Sequence, residues 1–260
     1  MILSQHFKSF FSQGRYRIGI WVVFVGTTYL IFFSEVNAGF LKRQSFWFVH
    51  KWEALHNDST LREYTWRHKD TACGKHALAP DPRRDKQGYV HKAEINCSLN
   101  VPGNNHRLYP ILSFPDCHYG PYDSTFWIWV DLPMSGSGGW VSLATYANKK
   151  NWMDLFGVNI EFDVGVKQLT LFHIPVLGKG DFIREKRLPI PMRQWVHVEV
   201  KVNPLGLIEV FQDRVRILSA WKDFGSRGPA ICEAHWGLYA EGQIHRAVVM
   251  NDDISINMRN

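Results

Sequence analysis

Three stretches of the chain alternate between apolar and polar residues, and their polar positions carry groups that hold charge or protons. In His91–Cys97 these are Lys92, Glu94 and Asn96. In Val158–Asp163 they are Asn159, Glu161 and Asp163, and in His235–Glu241 they are His235, Gly237, Tyr239 and Glu241. Side chains on a strand point to alternate faces, so each set lies on one side of its own strand. An amine, carboxylates, an imidazole and a phenol can together hold a charged or hydroxylated ligand and move protons. Any one of these strands is explained equally well as the solvated outer face of an antiparallel sheet. The three together favour a wet, concave sheet that carries a site. His173, on a strand expected at Leu169–Ile174, is a rival proton carrier, although a half-buried structural histidine is the plainer reading there.

The elements that must position these groups are strands. Val196, Val198, Val200 and Val202 alternate with His197, Glu199, Lys201 and Asn203. Pro204 and Gly206 then punctuate the chain, and a second strand begins at Leu207. A loop this short joins antiparallel neighbours and cannot join parallel ones. Phe126-Trp-Ile-Trp-Val is apolar on both faces, which places it at the centre of a sheet. Strands separated by Gly and Pro clusters follow from Tyr89 to Ile256. The expected fold is all-β: an antiparallel two-sheet β-sandwich over 88–260, with Val196, Val198, Val200, Ile208 and Val210 buried. Residues 39–87 read as an irregular extension packed at its edge, with Asp70–Gln87 as loop. No repeat or low-complexity tract is present.

The first 38 residues read as a segment of their own. Lys8, Arg15 and Arg17 precede an apolar run over 18–33, and Val36 and Ala38 suit a cleavage site before Gly39. This is an apolar helix acting as an export signal, cleaved or retained as an anchor, and in both cases the rest of the chain crosses the membrane. Without that segment the formal charge falls by two from +6. A mildly basic surface suits an acidic polymer. The chain lacks the runs of like charge that mark nucleic-acid tails, so nucleic acid is not an expected partner. Cys73, Cys97, Cys117 and Cys232 lie in the exported part and allow up to two disulfides in three connectivities. A Cys97–Cys117 bridge is expected if those residues fall on adjacent elements. Asn57-Asp58-Ser59 and Asn96-Cys97-Ser98 match the N-glycosylation pattern. Aromatic residues make up 14% of the chain, with 11 Trp, enough for core packing and for a few to stack on sugar rings.

Several of these motifs fall in a recognisable order. Lys92-Ala93-Glu94 comes first, then an aromatic strand ending Asp131-Leu132-Pro133. Gln194-Trp195-Val196-His197-Val198 opens the hairpin, and Trp236-Gly237-Leu238-Tyr239 precedes a last strand ending Asp252-Asp253-Ile254-Ser255-Ile256. This pattern, over about 88–256, resembles the concanavalin-A-like lectin/glucanase jelly roll. Within that fold it is similar to polysaccharide lyases of the heparin-lyase and glucuronan-lyase type. The resemblance implies β-elimination on a uronate-containing polysaccharide. A cation neutralises the uronate carboxylate, a base takes the adjacent proton, and an acid protonates the departing oxygen. Carried over, Lys92 is the cation, with Glu94 beside it, and His235 and Tyr239 handle the proton. A free tyrosine titrates near 10, so Tyr239 needs cations nearby to act as a base. Glu161 and His173 would bind substrate, with Trp127 or Trp129 as a stacking platform, and all would converge on one concave face.

The sequence departs from that pattern in two places. Lys92 stands where the family has an arginine, losing the planar fork that grips a carboxylate. The strand Trp140–Asn148 carries neither the expected Gln nor the expected His. A non-catalytic carbohydrate-binding or adhesion module of the same fold explains that loss and stays open as an alternative. A glycoside hydrolase needs two closely placed carboxylates. Glu161-Phe162-Asp163 supplies half of the glucanase pattern, and Val166 takes the third acidic position. No cofactor is required by any of these chemistries. Asp252 and Asp253 are candidates for a structural Ca²⁺, although a solvated strand end accounts for them as well.

Overall fold

Val196, Val198, Val200 and Val202 are all fully buried in one strand, while His197, Glu199 and Lys201 between them stay half-exposed. The alternation of the sequence thus becomes the two faces of a sheet. The computed structural model describes residues 73–83, 88–97, 105–132, 139–161, 167–173, 180–185 and 188–259, together with the backbone of six earlier strands, Phe11–Ser12, Arg15–Tyr16, Ile20–Val25, Thr28–Phe33, Trp47–His50 and Tyr64–Lys69. The strands up to Phe33 fall in one unit, Met1–Gln44, and everything from Trp47 onward belongs to another, Ser45–Asn260. Within the run over 18–33, where the sequence leads one to expect an apolar helix, the described backbone is instead an antiparallel pair of strands, Ile20–Val25 with Thr28–Phe33. The glycosylation motif at Asn57 lies outside the described residues.

Within the unit Ser45–Asn260 the strands, in chain order, are β1 (Trp47–His50), β2 (Tyr64–Lys69), β3 (Gly74–Pro80), β4 (Tyr89–Asn96), β5 (His106–Tyr119) and β6 (Tyr122–Asp131). Then follow β7 (Trp140–Lys149), β8 (Met153–Glu161), β9 (Leu169–His173), β10 (Asp181–Ile183) and β11 (Trp195–Val202). The last are β12 (Leu207–Gln212), β13 (Val215–Trp221), β14 (Ala230–Ala240) and β15 (Arg246–Met258). They form two antiparallel sheets. One runs β13-β12-β11-β6-β15-β4-β3, with β1 also paired to β15, and the other runs β10-β9-β8-β7-β14-β5-β2. There is no helix among the described residues. The extension over 39–87 is therefore less irregular than its sequence suggests. β3 lies inside the stretch read as loop, because Gly74–Pro80 pairs along the whole length of β4.

The core lies between the sheets. Its largest fully buried side chains include Trp236, Tyr146 and Phe156 from one sheet and Tyr122, Phe126 and Ile128 from the other. Each large apolar side chain so buried contributes about 1.5–3 kcal/mol. The Tyr146 hydroxyl donates to Ser124 Oγ at 2.8 Å and ties the layers together. β6 is central, as expected, lying between β11 and β15. Only its Tyr122–Val130 face is fully buried, while Trp127 and Trp129 on the other face are half-covered.

Two glycines are fixed by their surroundings. Gly206, at φ +94°, turns the β11–β12 hairpin, and a Cβ there would stand 2.3 Å from the Lys222 carbonyl oxygen. Gly237, at φ +139°, lets β14 approach the other sheet: a Cβ would stand 2.9 Å from both His91 Cε1 and the Leu108 carbonyl oxygen. His91 itself is fully buried, 3.1 Å from His76 and 3.0 Å from Asn251.

The disulfides are Cys73–Cys97 and Cys117–Cys232, with Cα separations of 5.1 and 4.2 Å. Cys97 does not bridge Cys117, because the first follows β4 in one sheet and the second lies on β5 in the other. The first bond staples the β3–β4 hairpin and the second joins β5 to β14. In the chain-entropy model, loops of 24 and 115 residues correspond to about 3.5 and about 5 kcal/mol.

Candidate functional site

A groove of about 390 Å³ opens on the face of the seven-stranded sheet that turns away from the core. Alternation fills it strand by strand. β5 contributes Arg107 and Tyr109, and β14 contributes His235 and Tyr239. β7 contributes Trp140, Ser142 and Thr145. The last two are three positions apart, yet both face the groove. A register shift between Ser142 and Ala144 supplies the extra residue, as a β-bulge does. β8 adds Leu155 and Asn159, and Phe172 and Phe182 close the far side.

The proton-carrying groups sit at one end. The His235 ring stacks on Tyr109 at 3.9 Å between centroids and lies 6.1 Å from the Tyr239 ring. Tyr239 meets Trp140 edge to face at 4.9 Å. The Arg107 guanidinium stands 5.6 Å from the centre of the Tyr239 ring, within cation–π range. Asn105 Nδ2 donates to the Tyr239 hydroxyl at 3.1 Å. Trp152 covers His235 from the β7–β8 turn, ring to ring at 5.2 Å. Its own backbone is left-handed, at φ +56°, and its N–H donates to the Glu233 carboxylate at 2.7 Å. A bulky residue held in that conformation stores strain, and such strain tends to gather at functional sites.

Of the residues expected to converge, the groove unites His235 and Tyr239. Glu161 is on the same sheet, at the end of β8, where Arg184 grips both carboxylate oxygens, one of them at 2.7 Å. No carboxylate lines the groove among the described residues, and Asp163 lies outside them. Lys92, Glu94, Trp127 and Trp129 belong to the other sheet. They alternate with buried Ala93, Ile95, Ile128 and Val130, so they face outward on the opposite side of the sandwich. Lys92 and Glu94 pair there at 3.1 Å, and Trp127 rests on the His197 ring at 5.1 Å. The single converging face expected from the sequence is thus corrected to two opposite faces. His173 follows the groove residue Phe172 and so points the other way. Burial and nearby Lys222 lower its pKa, while Asp181 opposes them. Asp252 and Asp253 both approach Arg83, whose guanidinium bonds Asp252 and stands 4.0 Å from Asp253. A Ca²⁺ at this point would have to displace that cation.

Asn159, on the polar face expected for its strand, does line the groove, whereas the sequence reading does not reach the groove's own cation, Arg107, or Tyr109, Trp152, Ser142 and Thr145. The usable signal was Arg107-Leu108-Tyr109, an alternation in which only Leu108 is fully buried. Pro110 and Pro115 mask it, since proline argues against a strand.

Two facing antiparallel sheets with a groove on one outer surface define a concanavalin-A-like jelly-roll sandwich. Among solved structures the chain is similar to an endo-β-1,4-glucuronan lyase from the fungus Trichoderma reesei, with 13% identity and a TM-score of 0.55. That likeness covers 83% of this chain and 95% of the lyase. It is also similar to the cellulose induced protein Cip1, at 14% identity and a TM-score of 0.51, over 74% of this chain and 90% of that one. At such identities the likeness is one of fold. No protein-family model and no curated protein matches the chain.

Proposed function

We propose that the chain is an exported protein that binds a uronate-containing polysaccharide in this groove and cleaves it by β-elimination. One observation carries the proposal: Arg107, His235 and Tyr239 meet in a single aromatic-walled groove. Elimination removes the proton on the carbon next to the uronate carboxylate. The electron pair forms a carbon–carbon double bond while the bond to the glycosidic oxygen breaks, and that oxygen takes up a proton. Arg107 offsets the charge that builds on the carboxylate as the proton leaves, a role for fixed positive charge in a site partly closed to water. Tyr239 and His235 are the groove's proton carriers, one as base and one as acid. The likeness of fold to a glucuronan lyase supports this reading. The two disulfides support an oxidising compartment and therefore export.

A second reading, a non-catalytic carbohydrate-binding module, draws on the middle strand. There the Ser142 and Thr145 hydroxyls bond each other at 3.1 Å, and β7 brings no base to the groove. Incubation of the protein with polyuronates and other acidic polysaccharides separates the readings. Elimination creates a conjugated double bond, so ultraviolet absorbance rises. Retention of the polymer with flat absorbance would replace the lyase reading with the binding module.

A further inference from the structure

The groove differs from end to end. Among the described residues, Arg107 is the only lysine, arginine or carboxylate residue lining it. It lies on β5, and the strand order β5-β14-β7-β8 places Asn159 three strand spacings away, or about 14 Å across the sheet. The lining on this side is neutral: Ser142 lies opposite Asn159 on β7, Thr145 and Phe172 lie opposite Gly157, Phe182 pairs with Phe172, and Leu155 is four positions earlier on β8. Asn159 is 2% exposed, and its Oδ1 is buried without a hydrogen-bond partner. A buried, unpartnered carbonyl is unfavourable and rare in folded proteins. Gly157, two positions before it, carries no side chain and leaves no room for one: a Cβ there would stand 3.0 Å from the Ala144 carbonyl oxygen, 3.1 Å from Thr145 Oγ1 and 3.3 Å from Asn159 Oδ1.

Resting on the reading that the Arg107 end takes a carboxylate, we infer that the groove selects a mixed glycan, with a neutral sugar at the Asn159 end. The last torsion of an asparagine is broad and roughly two-fold, so its carboxamide can turn either polar atom toward a ligand hydroxyl. A hydroxyl donates to one atom and accepts from the other, and suits that site in both orientations. The apolar face of the sugar ring then lies against Phe172 and Phe182. A second carboxylate would be poorly received. It would meet the negative faces of aromatic rings and the Glu161 carboxylate, two positions along β8 from Asn159. Arg184, the nearby cation, is already held by Glu161. A charge removed from water without a partner is strongly disfavoured.

The test titrates three oligosaccharides of equal length into the full chain carrying Tyr239→Phe, which prevents cleavage. They are an oligogalacturonate, an alternating uronate–N-acetylhexosamine fragment of hyaluronan, and a neutral chitin fragment. The alternating ligand should bind at least about tenfold more tightly than the oligogalacturonate, a margin of one good hydrogen bond. Asn159→Leu should remove that margin and change oligogalacturonate binding less than about twofold. The melting temperature of that variant should hold or rise, because an unpartnered carbonyl has been removed. Equal or tighter oligogalacturonate binding, or an equal loss for both acidic ligands, overturns the inference alone, provided that Arg107→Ala still weakens both. Binding indifferent to Arg107, or tightest for chitin, overturns the acidic-groove reading and this inference with it.

Discussion

Tyr239 is enclosed by Trp140, Tyr109 and Arg107, and its hydroxyl is reached by Asn105. Tyr239→Phe deletes that hydroxyl and leaves the aromatic packing in place. In the lyase reading the variant should lose about 10²–10⁴ in turnover with little change in KM, because general acid–base groups act on the transition state. Arg107→Ala should lower kcat/KM by about 10–100-fold, as expected for a charge-assisted contact. Steady-state kinetics on one acidic polymer checks both, and turnover unchanged by Tyr239→Phe would remove the phenol from the chemistry. At this scale the sequence was half legible. His235 and Tyr239 share a regular apolar–polar pattern, and the groove does unite them. Arg107 was hidden because the prolines of β5 suppress the strand signal, while backbone pairing with β14 on one side and β2 on the other overrides it.

The β11–β12 hairpin was fully legible in the sequence, since valine alternation and a Pro-Gly loop admit one arrangement. The contact between β4 and β14 was not, because it joins residues remote in sequence from opposite sheets. Its centre is His91, which burial and neighbouring His76 hold well below the usual histidine pKa. A histidine kept neutral in the folded state takes up a proton more readily when unfolded. Its contribution is therefore complete above the unfolded pKa, near 6.5, and is lost as pH falls below that value. Thermal unfolding should show stability dropping between pH 7.5 and 5.5. The slope should exceed that of His91→Gln by up to about 1.4 kcal/mol per pH unit, equivalent to one proton. Identical slopes for the two proteins would show that His91 is not the group that titrates.

Across the whole molecule, strand parity identified which residues face outward but not which sheet carries them. Lys92 and Glu94 do lie on the outer side of their strand, as their alternation indicates. Their strand belongs to the eight-stranded sheet, while His235 and Tyr239 belong to the seven-stranded one. Periodicity is local, whereas sheet membership depends on long-range pairing, which is why the fold could be read and the site only in part. The central claim is that ligand binds the outer face of the seven-stranded sheet. Hydroxyl-radical footprinting with an acidic oligosaccharide tests it directly, because both outer faces carry half-exposed aromatic residues within one molecule. Ligand should protect Trp140, Trp152 and Tyr239 from oxidation and leave Trp127, Trp129 and Trp195 unchanged. Protection of the second group with the first unaffected would contradict the account and move the site to the opposite face.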